Sequence, residues 1–169
     1  MTRNLSVSEL ANVVANPVLL DDPKLVLRQL RHWSTLGILP PDGATFVGHG
    51  NHRRYSRDAV FLATILVRMA AAGFSVGVLK ALAAIVEEKM LKDAAGGRQL
   101  WEAAIAGEAA VDLRFRVVRH AASDTVYQAE AQIETRGHVP EVPEPASTVP
   151  THLMNLTEFF APVRARLGE

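Results

Sequence analysis

Three cations share one face of a helical segment: in PKLVLRQLRHW, Lys24, Arg28 and Arg31 fall at i, i+4 and i+7. Guanidinium groups present forks of donors that suit phosphate oxygens and guanine edges. Further on, His52, Arg53 and Arg54 form a second basic cluster behind the Gly-rich run DGATFVGHGN. Clustered cations of these types suit an anionic partner. Two other spacings invite chemistry. Gly73-Phe-Ser75-Val-Gly77 formally matches G-x-S-x-G. A nucleophile elbow needs a strand ahead of its serine, however, and a long apolar helical run precedes this one, so Ser75 is expected to cap a helix. His49 and His52 have an H-x-x-H spacing, but no third ligand stands nearby and the segment reads as a turn. Beside arginines, such histidines suit phosphate. No phosphate-cradling loop and no constellation of carboxylates points to catalysis, so the chain reads as a binding protein, not an enzyme, with no cofactor and no metal.

The elements that must position the two basic clusters are legible from caps and breakers. Ser6-Val-Ser-Glu9 is a capping box, with Leu5 and Leu10 placed as a hydrophobic staple, and it opens a short helix over 7–14 that Asn16-Pro17 ends. Asp22-Pro23 starts the cationic helix, on which Val26, Leu30 and Trp33 form an apolar face. Gly37 supplies a left-handed C-terminal residue and Pro40-Pro41 forbid continuation. A hairpin is expected next, with Thr45-Phe46-Val47 as one strand and His52 to Tyr55 as the other. Ser56 then caps a helix over 57–72 that is apolar nearly all round, and Ser75 caps a fourth with Val78, Leu79, Leu82, Ile85 and Val86 as its core stripe. Glu87-Glu88 reads as a solvated helix end.

After Lys92 the character changes. Gly96-Gly97 is a joint, and a short helix is expected over 98–110 with Leu100, Trp101 and Ile105 inward. Periodicity then switches to two. Val111, Leu113, Phe115 and Val117 alternate with Asp112, Arg114 and Arg116, while Tyr127, Ala129, Ala131 and Ile133 alternate with Gln128, Glu130, Gln132 and Glu134. This predicts an antiparallel hairpin with one half-buried face and opposite charges across the other. Four prolines make 137–150 an extended linker, and a last helix is expected over 157–167.

Bulk properties exclude several classes. The 169 residues are 49 % apolar and 21 % charged, ordinary globular composition. No run approaches the roughly 18 to 20 apolar residues of a membrane span, and MTRNLSVSEL lacks the apolar core of a secretory signal. The absence of cysteine excludes a disulfide scaffold and thiolate metal sensing, and it fits a reducing cytoplasm. Net charge is zero, yet it is divided: residues 1–90 hold ten Lys and Arg against seven Asp and Glu, and residues 91–169 hold eight against eleven. A +3 half and a −3 half suit an anionic partner for the first.

Three stretches in order resemble signatures of the mercury-resistance regulator (MerR) family. Leu30-Arg31-His32-Trp33-Ser34-Thr35-Leu36-Gly37-Ile38-Leu39-Pro40 stands where that family has leucine, arginine, two aromatics, an acid and then Gly-Leu-Leu-Pro. His52-Arg53-Arg54-Tyr55-Ser56 with Asp58 is similar to its wing, and Gly73-Phe74-Ser75-Val76 to its junction between third and fourth helices. The likeness covers roughly residues 5 to 90. It implies a winged helix-turn-helix in which the second helix enters the major groove and the wing touches the flanking backbone. It further implies Arg31 and His32 on or near phosphate, Trp33 holding the helix to the core, and Arg53 as the wing's anchor. The chain departs from the pattern in a longer turn over 16–22, in His32 and Trp33 for two tyrosines, in Ser34 for the acid, and in Gly96-Gly97 where the family's long dimerising helix would run.

The expectation is therefore a mainly α chain: a winged helix-turn-helix over 1–92 (helix, helix, β-hairpin, helix, helix), followed by a small α+β region over 93–169 that dimerises, binds an effector or touches another protein. The expected function is a sequence-specific, double-stranded-DNA-binding transcriptional regulator, cytoplasmic and nucleoid-associated. The recognition helix spans 23–37 and the wing 44–56; Lys24, Arg28 and Gln29 are candidates for base reading, with Arg31, His32, His52, Arg53 and Arg54 on the backbone. A homodimer is expected because paired half-sites add contacts that one small module lacks. RNA polymerase and a small-molecule effector are further candidate partners, and a membrane is not. Two alternatives remain open: an excisionase-like architectural or recombination accessory protein, and a protein-interaction module whose winged helix does not read DNA.

Overall fold

The computed structural model describes residues 4–15, 22–42, 53–92, 96–119, 127–136 and 151–168. Among them the chain is mainly helical, with a two-stranded and a three-stranded sheet, and it divides into two compact units. The first comprises residues up to Gly73 together with Pro162 onward, and the second is Phe74–Ala161.

In the first unit a two-residue strand β1 (Leu5–Ser6) leads into helix α1 (Val7–Val14). The capping box is present as expected. Glu9 N–H donates to Ser6 Oγ at 3.3 Å, and Ser6 N–H donates to Glu9 Oε2 at 2.7 Å. The far end of α1 carries no basic residue in its last turn, and Arg166 supplies one from the C-terminal helix. Its guanidinium donates to the carbonyls of Asn12 (3.4 Å), Val13 (2.7 Å) and Ala15. A cation there satisfies carbonyls that a helix end leaves open and complements its dipole. No local pattern announces this pairing, because the two partners lie at opposite ends of the chain.

Helix α2 (Pro23–Thr35) follows, then strand β2 (Arg54–Tyr55) and helix α3 (Arg57–Ala71). The sequence predicted a hairpin with Thr45-Phe46-Val47 as partner; those residues lie outside the described ones. What the structure pairs with β2 is β1, antiparallel, with Leu5 opposite Tyr55 and Ser6 opposite Arg54, and Asp42 bridges to Arg54 on the other side. A two-residue strand has no periodicity of its own, so β1 could not be read before its partner was known. Ser56 caps α3 by accepting from Ala59 N–H at 3.3 Å, and every residue from Ala59 to Val67 is buried. That makes α3 the unit's central helix, as its all-round apolar sequence requires.

The second unit opens with helix α4 (Val76–Val86), which runs on through a π turn over Glu87–Leu91 that places Met90 in the core. Dividing the chain at 92 groups α4 with the N-terminal part, whereas it packs on the sheet of the second unit. Its buried stripe is Val78, Leu79, Leu82, Ala83 and Val86, with Ile85 only half-buried. Helix α5 (Gly97–Ala106) ends four residues earlier than 110, because Gly107 takes a left-handed conformation at φ 76° and closes it.

Strands β3 (Val111–Arg119) and β4 (Tyr127–Thr135) pair antiparallel over nine residues, with Val111 opposite Thr135 and Leu113 opposite Ile133. The predicted hairpin is therefore present; the link at 120–126 lies outside the described residues, as does the proline-rich 137–150. A third strand, β5 (Thr151–Asn155), was not expected. It pairs antiparallel with β3, giving the order β4-β3-β5. Its stability comes from this distant partner, and Leu153, 65 % exposed on the polar face, breaks the alternation that would have announced a strand. Helix α6 (Leu156–Leu167) completes the chain. On the apolar side Trp101 meets Phe160 edge-on at 5.3 Å, and Leu113, Phe115 and Met154 are buried with them.

Candidate nucleic-acid interface

Helix α2 is held at both ends and along one side. Asp22 Oδ1 accepts from Lys24 N–H at 2.9 Å, and Pro23 occupies the first turn, where its missing N–H costs nothing. At the other end Gly37 adopts φ +69°, Ile38 N–H donates to Trp33 O at 2.9 Å, and Gly37 N–H donates to Ser34 O at 3.3 Å. This is a Schellman motif, and the residues at the two positions that usually carry its apolar contact, Trp33 and Ile38, are both buried. The abrupt halt of RHWSTLGILPP is thus a helix stop that folds Ile38 and Leu39 back into the core. Val26, Leu30, Trp33 and Ser34 form the buried side of the helix.

The opposite side carries the predicted contact residues. Lys24, Arg28, Arg31 and His32 are exposed and Gln29 is half-buried. No carboxylate among the described residues pairs with Lys24, Arg28 or Arg31. At 1.5 Å of rise per residue, Lys24 to Arg31 spans roughly 10 Å of helix axis, about three base-pair steps of a duplex. A row of cations without carboxylate partners among the described residues, on an internally capped helix, can take an anionic polymer along its length.

Ser34, in sequence only a departure from the family pattern, is a structural joint. It is 2 % exposed; its Oγ donates to Leu30 O at 2.8 Å and lies 2.6 Å from the Tyr55 hydroxyl. A serine has one proton and the carbonyl can only accept, so the Tyr55 hydroxyl is the donor to Ser34 Oγ. Both buried hydroxyls are thereby satisfied, and α2 is tied to β2. A tyrosine ending a strand and a serine near a helix end are each unremarkable in sequence; only their meeting gives them a role.

The second basic cluster is divided. His52 lies outside the described residues. Arg53 is half-buried and has no carboxylate partner among them. Arg54 is exposed yet engaged with its own chain: its guanidinium donates to Asn4 O at 3.4 Å and lies 3.7 Å from Glu9 Oε2. Its backbone carbonyl accepts from Asp42 N–H at 2.7 Å, and Asn4 Nδ2 donates to Asp42 Oδ2 at 2.8 Å. Arg54 is therefore already a clamp across β1 and β2.

The polar face of the three-stranded sheet is equally rich in arginine but compensated. Arg114 pairs with Glu134 at 2.8 Å, Arg116 pairs with Glu130, and Arg136 reaches Asp112 with two nitrogens at 3.2 and 3.3 Å and Glu158 at 3.3 Å. Asp112 and Glu134, both 8 % exposed, are tolerated there because arginines cover them. The hydrogen bond to Asp112 raises the Arg136 pKa further above its ordinary value, so its charge is permanent.

Other candidate chemistry finds no site. Ser75 caps α4 by accepting from Val78 N–H at 3.5 Å, and helix α3 precedes it where an elbow would need a strand. Among the described residues no group of His, Asp and Glu could hold a metal ion, and no helix is long and apolar enough to cross a membrane. His49, with His52, lies outside the described residues. Neither a scan against protein-family models nor a search of curated proteins finds a match to this chain.

Proposed function

We propose that the chain is a sequence-specific, double-stranded-DNA-binding transcriptional regulator built on a MerR-like winged helix-turn-helix. In this reading α2 lies in the major groove and the wing over 44–56 touches the flanking backbone. One observation carries it: Lys24, Arg28 and Arg31 stand in a row on the exposed side of α2, without a carboxylate partner among the described residues, while the other side is locked into the core. Coulomb attraction to phosphate supplies affinity, and the first turns of the helix, carrying Lys24, Arg28 and Gln29, supply base contacts. Arg31 and His32 lie nearer the backbone, with Arg53 as the wing's contact. A homodimer places two such helices on paired half-sites.

Selection of the purified protein from a randomised duplex pool tests this directly. An enriched inverted repeat is the expected result, and its spacing gives the dimer geometry. Retention of a random pool, or affinity unchanged in Arg31→Ala and Arg53→Ala, would overturn it.

A further inference from the structure

The exposed side of α2 is not purely polar. Leu25 is 52 % exposed in the first turn of the helix, between Lys24 and Arg28. Leu25, Arg28, Gln29 and His32 follow i, i+3, i+4 and i+7, so the leucine heads the same stripe as the candidate base-reading residues. A single exposed leucine is ordinary on a protein surface. This one is distinguished by its place, since side chains at the start of a groove-inserted helix reach base edges.

The apolar group that a duplex offers in its major groove is the C5 methyl of thymine. Resting on the DNA-binding reading above, we propose that Leu25 is a specificity-determining residue that packs on a thymine methyl, flanked by Lys24 and Arg28. The same side chain works against other bases. Set over the cytosine N4 or adenine N6 amino group, it would strip water from a donor and offer no acceptor in return. Leucine thus both rewards thymine and penalises its competitors at one step, which a row of cations alone does not do.

The structure supplies its own control. Leu36 is 42 % exposed, but it stands eleven residues further on, about 16 Å along the axis and past the last turn. Loss of its apolar surface should leave base preference untouched.

The experiment replaces each thymine of the selected half-site in turn by deoxyuridine, which removes the methyl and nothing else. Wild type should bind about fourfold more weakly at one position, the worth of one buried methyl group. Leu25→Ala and Leu25→Gln should bind the two duplexes equally, while Leu36→Ala and Leu25→Met should keep the preference. Because Leu25 is half in solvent, the variants should melt with wild type, and two different replacements of its apolar end, one truncating and one polar, guard against one that does not fold. Indifference of wild type to every deoxyuridine, or persistence of the penalty in Leu25→Ala and Leu25→Gln, overturns the role of Leu25 and leaves DNA reading intact. A pool that stays random removes DNA reading itself, and this inference with it.

Discussion

On α2, Lys24, Arg28 and Arg31 face solvent with no carboxylate partner among the described residues; on the polar face of the β4-β3-β5 sheet, Arg114, Arg116 and Arg136 each meet a glutamate or aspartate. Both regions are arginine-rich, and both sit opposite a buried apolar face. They differ in what surrounds the cation. A strand places a neighbour's side chain directly opposite or diagonally across at close range, so a polar sheet face tends to neutralise itself. Helix α2 has lysine, arginine and no acid between Pro23 and Thr35, so its charges have no partner within the helix. A net charge of zero for the whole chain therefore conceals one surface open to an anion and one already satisfied.

Reversing the α2 charges should produce the largest effect. On the proposed function, Arg28→Glu with Arg31→Glu should weaken DNA binding by more than the about 1–3 kcal/mol of one base contact and flatten its salt dependence, while the melting temperature stays near wild type. Filter binding across a salt series would read it, and unchanged affinity would erase the distinction between the two regions. The sheet should behave in the opposite way. Arg114→Ala leaves Glu134, 8 % exposed, without its cation, and should cost up to about 3 kcal/mol of folding stability in urea titration with DNA affinity unaltered. Pairing Arg114→Met with Glu134→Leu should restore most of that loss, because the cost lies in the orphaned charge.

Two smaller effects sharpen the contrast. Ser34→Ala deprives the buried Tyr55 hydroxyl of its acceptor and should cost about 1–3 kcal/mol; Tyr55→Phe in the same background should recover part of it. Glu130→Gln opens a partly exposed pair with Arg116 and should change stability by less than about 1 kcal/mol. If Glu130→Gln instead raised DNA affinity, the sheet face would be a second anion surface held in check by its own acids.

Most of the first unit's helices were legible because their signals are local. Ser6 with Glu9, Asp22 with Pro23, and Ser56 each announce a helix start within four residues, Gly37 announces a stop, and Ser75 does the same service for α4 at the head of the second unit. The two strands β3 and β4 were legible for the same reason, since period-two alternation is a property of the strand itself, whereas their register was fixed only by their pairing. Gly107 was a local stop too, and 110 was the wrong end for α5 only because the following Glu-Ala-Ala continues a helical composition.

What the sequence determined by itself was which segments are helical, about where the helices begin, and that one helix carries cations on a single face. Those depend on backbone sterics, capping and spacing over a few residues. Tertiary structure decided the rest: that β1 pairs with β2, that β5 joins β3, that Arg166 closes α1, and that Ser34 meets Tyr55. It also decided that Arg54 is occupied by Asn4 and Glu9 while Arg28 has no carboxylate partner among the described residues. An arginine's availability is set by which carboxylate or carbonyl the fold brings beside it, and charge falls off over ångströms in space, not over positions in a chain.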